Sequence, residues 1–181
     1  MSLVKTVLAI VGSAGTNSSN LQLVNYIASI TKELFHLTVY DALQQLPHFN
    51  PAQSIENTPQ AILDLRNKID SANAVLICTP EYIFSIPSGL KNVFEWCVST
   101  TVFAHKPVAL ITASAHGVKG HEELKLILKT VDAIFADKTT LLIQGIKGKM
   151  DSDGQLADEK TKAELQGLVE AFNELITTTN S

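Results

Sequence analysis

The segment Gly12-Ser13-Ala14-Gly15-Thr16-Asn17-Ser18-Ser19-Asn20 is built almost wholly of small, hydroxyl and amide residues. Small residues let a backbone approach a ligand closely, and Ser and Thr hydroxyls donate hydrogen bonds to phosphate oxygens. The segment ends an apolar run and opens a helical pattern. Free N–H groups and the helix dipole favour an anion at such a junction. It has no Gly-Lys-Ser/Thr ending and no G-x-G-x-x-G, so neither a triphosphate loop nor a dinucleotide fingerprint is present. On composition alone, a phosphate site and an ordinary polar turn with a Ser or Asn cap fit equally well.

Two further segments hold chemistry-bearing residues. In Thr79-Pro80-Glu81-Tyr82-Ile83-Phe84-Ser85-Ile86-Pro87-Ser88-Gly89-Leu90-Lys91-Asn92, prolines bracket an aromatic stretch and restrict its backbone. Tyr82 or Phe84 there suits packing against a flat ring, covering the core edge, or a subunit interface. In Ala113-Ser114-Ala115-His116-Gly117-Val118-Lys119-Gly120, a hydroxyl, an imidazole and two glycines follow an apolar run. His116 has the chemistry of an acid or base, but no partner Asp is evident, so it reads as a solvent-facing loop residue. His121 is given no role. Cys78 and Cys97 fall in apolar patterns and read as buried thiols; no Cys/His spacing matches a zinc site.

The elements that must position these loops alternate between strand and helix. Continuous apolar runs at Thr6–Val11, Leu37–Tyr40, Ala74–Thr79, Pro107–Ala113 and Thr139–Ile143 suit strands covered on both faces. Helical stripes recur at spacings of three and four: Leu23, Ile27, Ile30 and Leu34; Ile62, Leu65 and Ile69; Leu90, Val93, Phe94 and Cys97; Leu124, Ile127, Leu128 and Val131; Leu165, Leu168, Phe172 and Leu175. Thr58-Pro59 reads as an N-cap and first helical position. The helices that follow the second and third segments are expected to open near Pro87 and after Gly120. Residues 41–58 read as a long loop, and 145–158 as a surface loop. Within the latter, Asp151-Ser152-Asp153-Gly154 is a turn rather than a calcium loop, since no bidentate Glu or flanking helix pair accompanies it. The alternation implies an α/β fold with a doubly wound parallel sheet of five strands and helices on both faces. In such sheets ligands sit at the carboxyl ends of the strands, where all three loops lie.

The 181 residues fit one domain spanning 1–181. Hydrophobic residues make up 45% and charged residues 18%, which suits a globular chain with a large core. A net charge of -4 argues against a nucleic-acid surface. No apolar run reaches the roughly 18 residues of a membrane span, and the first residues lack a signal-peptide pattern. A cytoplasmic protein is expected.

At the three loops the chain resembles the NADPH-dependent FMN reductase family of flavodoxin-like proteins. That family's first loop reads Gly-Ser-x-Arg-x-x-Ser-x-Asn; Gly12, Ser13, Ser18 and Asn20 match, and Gly15 stands at the Arg. Its second reads Pro-Glu-Tyr-Asn-Gly-Ser-Ile-Pro-x-x-Leu-Lys-Asn-x-x-Glu/Asp-Trp. Pro80, Glu81, Tyr82, Ser85, Ile86, Pro87, Leu90, Lys91, Asn92, Glu95 and Trp96 match, with Ile83 and Phe84 in place of Asn-Gly. The third is a Ser followed by glycines, loosely matched by Ser114, Gly117 and Gly120. The resemblance covers nearly the whole chain and implies strand order 2-1-3-4-5.

The resemblance further implies non-covalent FMN, held by Ser13, Gly15, Ser18 and Asn20 on the first loop. Pro80, Glu81, Tyr82, Ile83, Phe84 and Ser85 on the second loop and Ser114, His116 and Gly117 on the third would complete the site. It implies an oxidoreductase passing hydride from NADPH or NADH to FMN, then to a flavin, quinone, azo or metal-oxyanion acceptor, as a homodimer or homotetramer. Phe94, Trp96 and Phe103 are candidates for either the core or a partner face. The cofactor does the hard chemistry, so no side chain is nominated as acid or base. Ser114 and the third-loop backbone are candidates to stabilise the reduced ring. Losing the Arg removes a charged contact of about 1.5–3 kcal/mol. Phe in place of Gly adopts positive φ only at a cost. Two other readings share the fold: an FMN-binding electron carrier, and a protein that has lost flavin and acts by binding.

Overall fold

The computed structural model describes residues 5–13, 15 and 18–179. Ala14, Thr16 and Asn17 of the first loop lie outside them, as do the four N-terminal residues. The apolar runs form β1 (Thr6–Val11), β2 (His36–Tyr40), β3 (Ala74–Thr79), β4 (Val108–Ser114) and β5 (Thr140–Gln144). They pair in parallel in the order β2-β1-β3-β4-β5. Five helices connect or follow them: α1 (Ser19–Ile30), α2 (Gln60–Ser71), α3 (Ser88–Cys97), α4 (Val118–Thr130) and α5 (Glu159–Thr179). This is the flavodoxin-like doubly wound sheet.

Strand alternation divides the core in two. Val7, Ala9 and Val11 of β1, with Leu76 and Cys78 of β3, face α1 and α5. Leu8 and Ile10, with Val75 and Ile77, face α2, α3 and α4. All six residues of β3 are buried, which explains its unbroken apolar run. The central position of β1 and β3 brings the first and second loops side by side. Gly12 makes this approach possible: its N–H donates to the Cys78 carbonyl at 2.8 Å, and a Cβ there would lie 2.3 Å from Thr79 Oγ1.

Several boundaries differ from the sequence pattern. Leu34 lies past the end of α1 and is exposed. Thr58 does not cap α2; Pro59 takes that position, and the Thr58 hydroxyl donates to the Gln53 carbonyl at 2.8 Å. The α4 helix opens at Val118, before Gly120, because Gly117 turns the chain at φ +85°. Residues 41–58 contain two short 3₁₀ turns, Leu43–Gln45 and Pro51–Gln53.

That long segment is fastened from α3 and α2. Asn92 donates to the Pro47 carbonyl and accepts from the Phe49 N–H, and Trp96 Nε1 donates to Pro47 at 2.8 Å. The buried Arg66 guanidinium donates to the carbonyls of Ser54 and Trp96, the latter at the end of α3, where the helix dipole favours a cation. Trp96 and Phe103 are fully enclosed by their own chain, so the core explains them and a partner face does not.

Candidate functional site

A cavity of about 630 Å³ opens at the carboxyl ends of the strands, within the range of small-molecule sites. The first loop contributes Ser13 and Ser18, and α1 contributes Ser19 and Asn20. Pro80 and Tyr82 come from the second loop, and Ala113, Ser114 and Ala115 from the third. The fourth wall is Gly145, Ile146, Lys147 and Gly148, from the connection after β5.

The first-loop side combines rigid positioning with spare donors. Ser18 caps α1, its Oγ accepting from the Leu21 N–H at 3.2 Å. Ser13 Oγ accepts from the Gly15 N–H at 3.3 Å. A hydroxyl that accepts from backbone keeps its own proton for an anion. Asn20 is buried, with Nδ2 donating to the Ala113 carbonyl at 3.2 Å and Oδ1 accepting from the Cys78 thiol. Asn20 therefore staples the start of α1 to β3 and β4. The thiol itself stays protonated: burial pushes Cys78 well above its usual range and Cys97 up to about 12. Gly15 is exposed, and among the described residues a Cβ on it would meet nothing nearer than 3.9 Å.

The second loop turns back on itself. Tyr82 and Ser85 exchange two backbone hydrogen bonds, 2.9 and 3.0 Å, around Ile83 and Phe84 at φ +52° and +58°. This is a two-residue turn of the kind that Asn-Gly adopts without strain. A β-branched and an aromatic residue hold it here at a conformational cost. Their side chains stand in solvent, 95% and 74% exposed, outside the cavity wall. Tyr82 alone of the three lines the cavity; it also lines a smaller one of about 230 Å³ beside Leu43, Leu46 and Pro87.

Two glutamates lock this hairpin to α4. Glu81 does not line the cavity; its carboxylate accepts from the N–H groups of Gly117 at 3.2 Å and Gly120 at 2.8 Å. Glu123 accepts from the Ser85 hydroxyl at 2.6 Å and the Ile86 N–H at 3.3 Å, and pairs with Lys91 at 3.7 Å. Ser85 and Gly117 are thus occupied by the frame. His116 is exposed and lies off the wall. His121, given no role from sequence, is buried; its Nδ1 lies 2.9 Å from Thr112 Oγ1.

Sequence reading missed the fourth wall. Residues 145–158 are more than a surface loop: Ile146 and Leu156 are buried, and Ile146–Lys149 form a 3₁₀ turn. Gly145 donates to the Ala115 carbonyl at 3.2 Å, which joins this wall to the third loop. The one available signal was its position directly after β5, at the ligand end of the sheet. Among the described residues no group of three or more His, Cys, Asp or Glu is placed to hold a metal, and no helix is long and apolar enough to cross a membrane.

Residues 6–147 match the model of the NADPH-dependent FMN reductase family. The chain belongs to that family. It is 30% identical over 178 residues to a quinone reductase of Escherichia coli K12, covering 94% of each chain. It is 31% identical to a subunit of the NADH:(hydroxy)cinnamate reductase of Vibrio ruber, covering 91% of this chain and 84% of that one. Among solved structures, the NAD(P)H:(acceptor) oxidoreductase FerB of Paracoccus denitrificans superimposes with a TM-score of 0.85 at 30% identity, over 97% of this chain and 99% of that one. Family membership makes the chain an FMN-dependent oxidoreductase with a nicotinamide nucleotide as electron donor. The cavity's donor set fits that cofactor: neutral hydroxyls and a helix start suit a phosphate, and an aromatic with two strand-end loops suits a flat ring.

Proposed function

We propose that the chain, acting as one FMN-binding unit, takes electrons from NADH or NADPH and delivers them to a small flat acceptor of the quinone class. The observation that carries this reading is the convergence of the loops after β1, β3 and β4 on one cavity bearing neutral donors and the start of α1. The names of the quinone reductase of Escherichia coli and the NAD(P)H:quinone oxidoreductase of Solanum tuberosum support the acceptor class.

Bound FMN supplies two-electron transfer between donor and acceptor. The protein's own residues bind and orient. Ser13 and Ser18 would hold the phosphate through their free hydroxyl protons. Asn20 and Gly12 fix the position of that loop against β3. Pro80 and Tyr82 would hold the ring, and Ser114, whose hydroxyl donates to the Glu81 carbonyl at 3.4 Å, would complete the wall with Ala115. The Gly117 N–H is committed to Glu81, so Gly117 and Glu81 position the loop. Ile83, Phe84 and Ser85 belong to the hairpin at the mouth, where the two exposed apolar side chains offer an acceptor an apolar surface. No described side chain is assigned the role of acid or base.

Two free buried thiols suit a reducing compartment such as the cytoplasm. Self-association as a homodimer or homotetramer belongs to the same proposal and is measured by sedimentation of the purified chain. The direct test is spectroscopic. The purified protein is expected to be yellow, to bleach on anaerobic NADH or NADPH, and to recover its colour when a quinone is added. Bound flavin that stays oxidised through the donor addition would sink the reading. A stable one-electron state on stepwise reduction would favour an electron carrier instead.

A further inference from the structure

We infer that Lys147, on the connection after β5, supplies the positive charge that the FMN phosphate meets in this chain. The inference rests on the proposed FMN site. A phosphate monoester carries about −1.5 to −2 charge at neutral pH, yet from Gly12 to Thr31 the sequence has no Lys or Arg. Hydroxyls and a helix start supply only dipoles there. Among the described residues Lys147 is the one lining residue that bears a formal charge, and no carboxylate lines the cavity with it.

Geometry holds this charge at the wall. Ile146, its neighbour, is buried and anchors the turn in the core around α5. Gly145, at φ +65°, passes its N–H to the Ala115 carbonyl and draws the segment against the third loop. Two residues on, Lys149 pairs with Asp158 at 3.1 Å, and Asp158 also accepts from the Thr161 N–H at 2.9 Å. Asp158 is thereby spent on Lys149, and Lys147 has no carboxylate within ion-pair distance among the described residues. Its side chain is exposed, on a flexible stem that suits a point contact with phosphate. Ser18 and Asn20 line the same cavity, and Asn20 bonds to Ala113 two residues before Ala115. The start of α1 and the Lys147 turn therefore flank the same end of β4.

The test separates phosphate from ring. Full-length protein stripped of flavin is titrated with FMN and with riboflavin, which lacks the phosphate, by quenching of flavin fluorescence. In Lys147→Gln the FMN dissociation constant is expected to rise by about tenfold to hundredfold, with that for riboflavin unchanged and the salt dependence of FMN binding reduced. Lys147→Arg is expected to restore most of the affinity. An unchanged FMN constant overturns the inference, and so does an equal loss for both flavins, which would set Lys147 against the ring. Wild-type protein that binds neither flavin overturns the FMN reading itself, a result visible before any variant is made. The exposure of Lys147 keeps folding out of the comparison, and an unchanged thermal midpoint verifies that.

Discussion

The carboxylate of Glu81 accepts the Gly120 N–H at 2.8 Å, so the second loop caps the helix that follows the third. The resemblance places Glu81 among cofactor ligands, and the geometry also makes its carboxylate the clamp between two loops that face the cavity. Its second bond, to the Gly117 N–H, satisfies another donor at the start of α4. Glu81→Ala removes both bonds and a negative charge at a helix N-terminus. The expected cost is about 1–2 kcal/mol, or roughly 2–8 °C in thermal midpoint. Hydrogen exchange should speed up at Gly117 to Gly120 ahead of the rest of α4. Glu81→Gln, which keeps one acceptor, should fall between. Full stability in Glu81→Ala would rule out the clamp.

The hairpin tip gives a prediction of opposite sign. Ile83 and Phe84 sit at positive φ with almost no burial to compensate them. A double change, Ile83→Asn with Phe84→Gly, supplies residues that adopt this turn readily. Each left-handed L-residue costs about 1–2 kcal/mol, and the extra freedom of Gly in the unfolded chain returns roughly 0.5–1 kcal/mol. A net gain of about 1 kcal/mol is expected, read as a higher urea midpoint at constant slope. In the same variant the Michaelis constant for an apolar quinone should rise relative to that for a polar acceptor. Loss of stability would mean that the tip packs against another surface.

The sequence was most legible where one physical cause dominates. Burial on both faces produced the unbroken runs of β3 and β1, and the three loops followed from the strand ends. It was less legible where roles depend on partners distant in the chain. Nothing local distinguishes Glu81 facing a ligand from Glu81 facing Gly120, 39 positions away. Asn92 and Trp96 match the second-loop motif, yet they hold Pro47 through bonds that only the fold creates. The turn at Ile146 was hidden for a related reason. Polar residues surround it, and one buried side chain carries too little periodicity to mark an element. Thr58 failed as a cap because Gln53, five positions back, offered its hydroxyl a carbonyl.

The open space at Gly15 permits a gain of function. Among the described residues a Cβ there meets nothing nearer than 3.9 Å, and its φ is outside the range that favours glycine. Gly15→Arg should therefore fold normally and add a cation beside Ser13 and Ser18. FMN affinity is expected to rise by about tenfold, with no change for riboflavin. Combined with Lys147→Gln, it should recover much of what that change loses. Unaltered FMN binding in Gly15→Arg would show that the phosphate lies away from this loop.

His121 sets how the fold responds to acid. Burial, with Lys125 nearby, pushes its pKa down to about 4 from the usual 6.5. The folded protein thus resists a proton that the unfolded chain accepts. Between about pH 6.5 and pH 4 the unfolded state binds more protons, so stability falls as pH drops through that window and levels off below it. Above pH 6.5 both states hold neutral imidazole and the contribution is constant. After solvent screening is allowed for, the loss is about 1–2 kcal/mol. Glu122 acts against the shift and limits it. His121→Gln can keep a hydrogen bond to Thr112 but cannot titrate. Urea unfolding of wild type and variant at pH 7 and pH 4.5 measures the difference. The variant should lose less stability on acidification, by about that amount; parallel losses would assign the acid response to other groups.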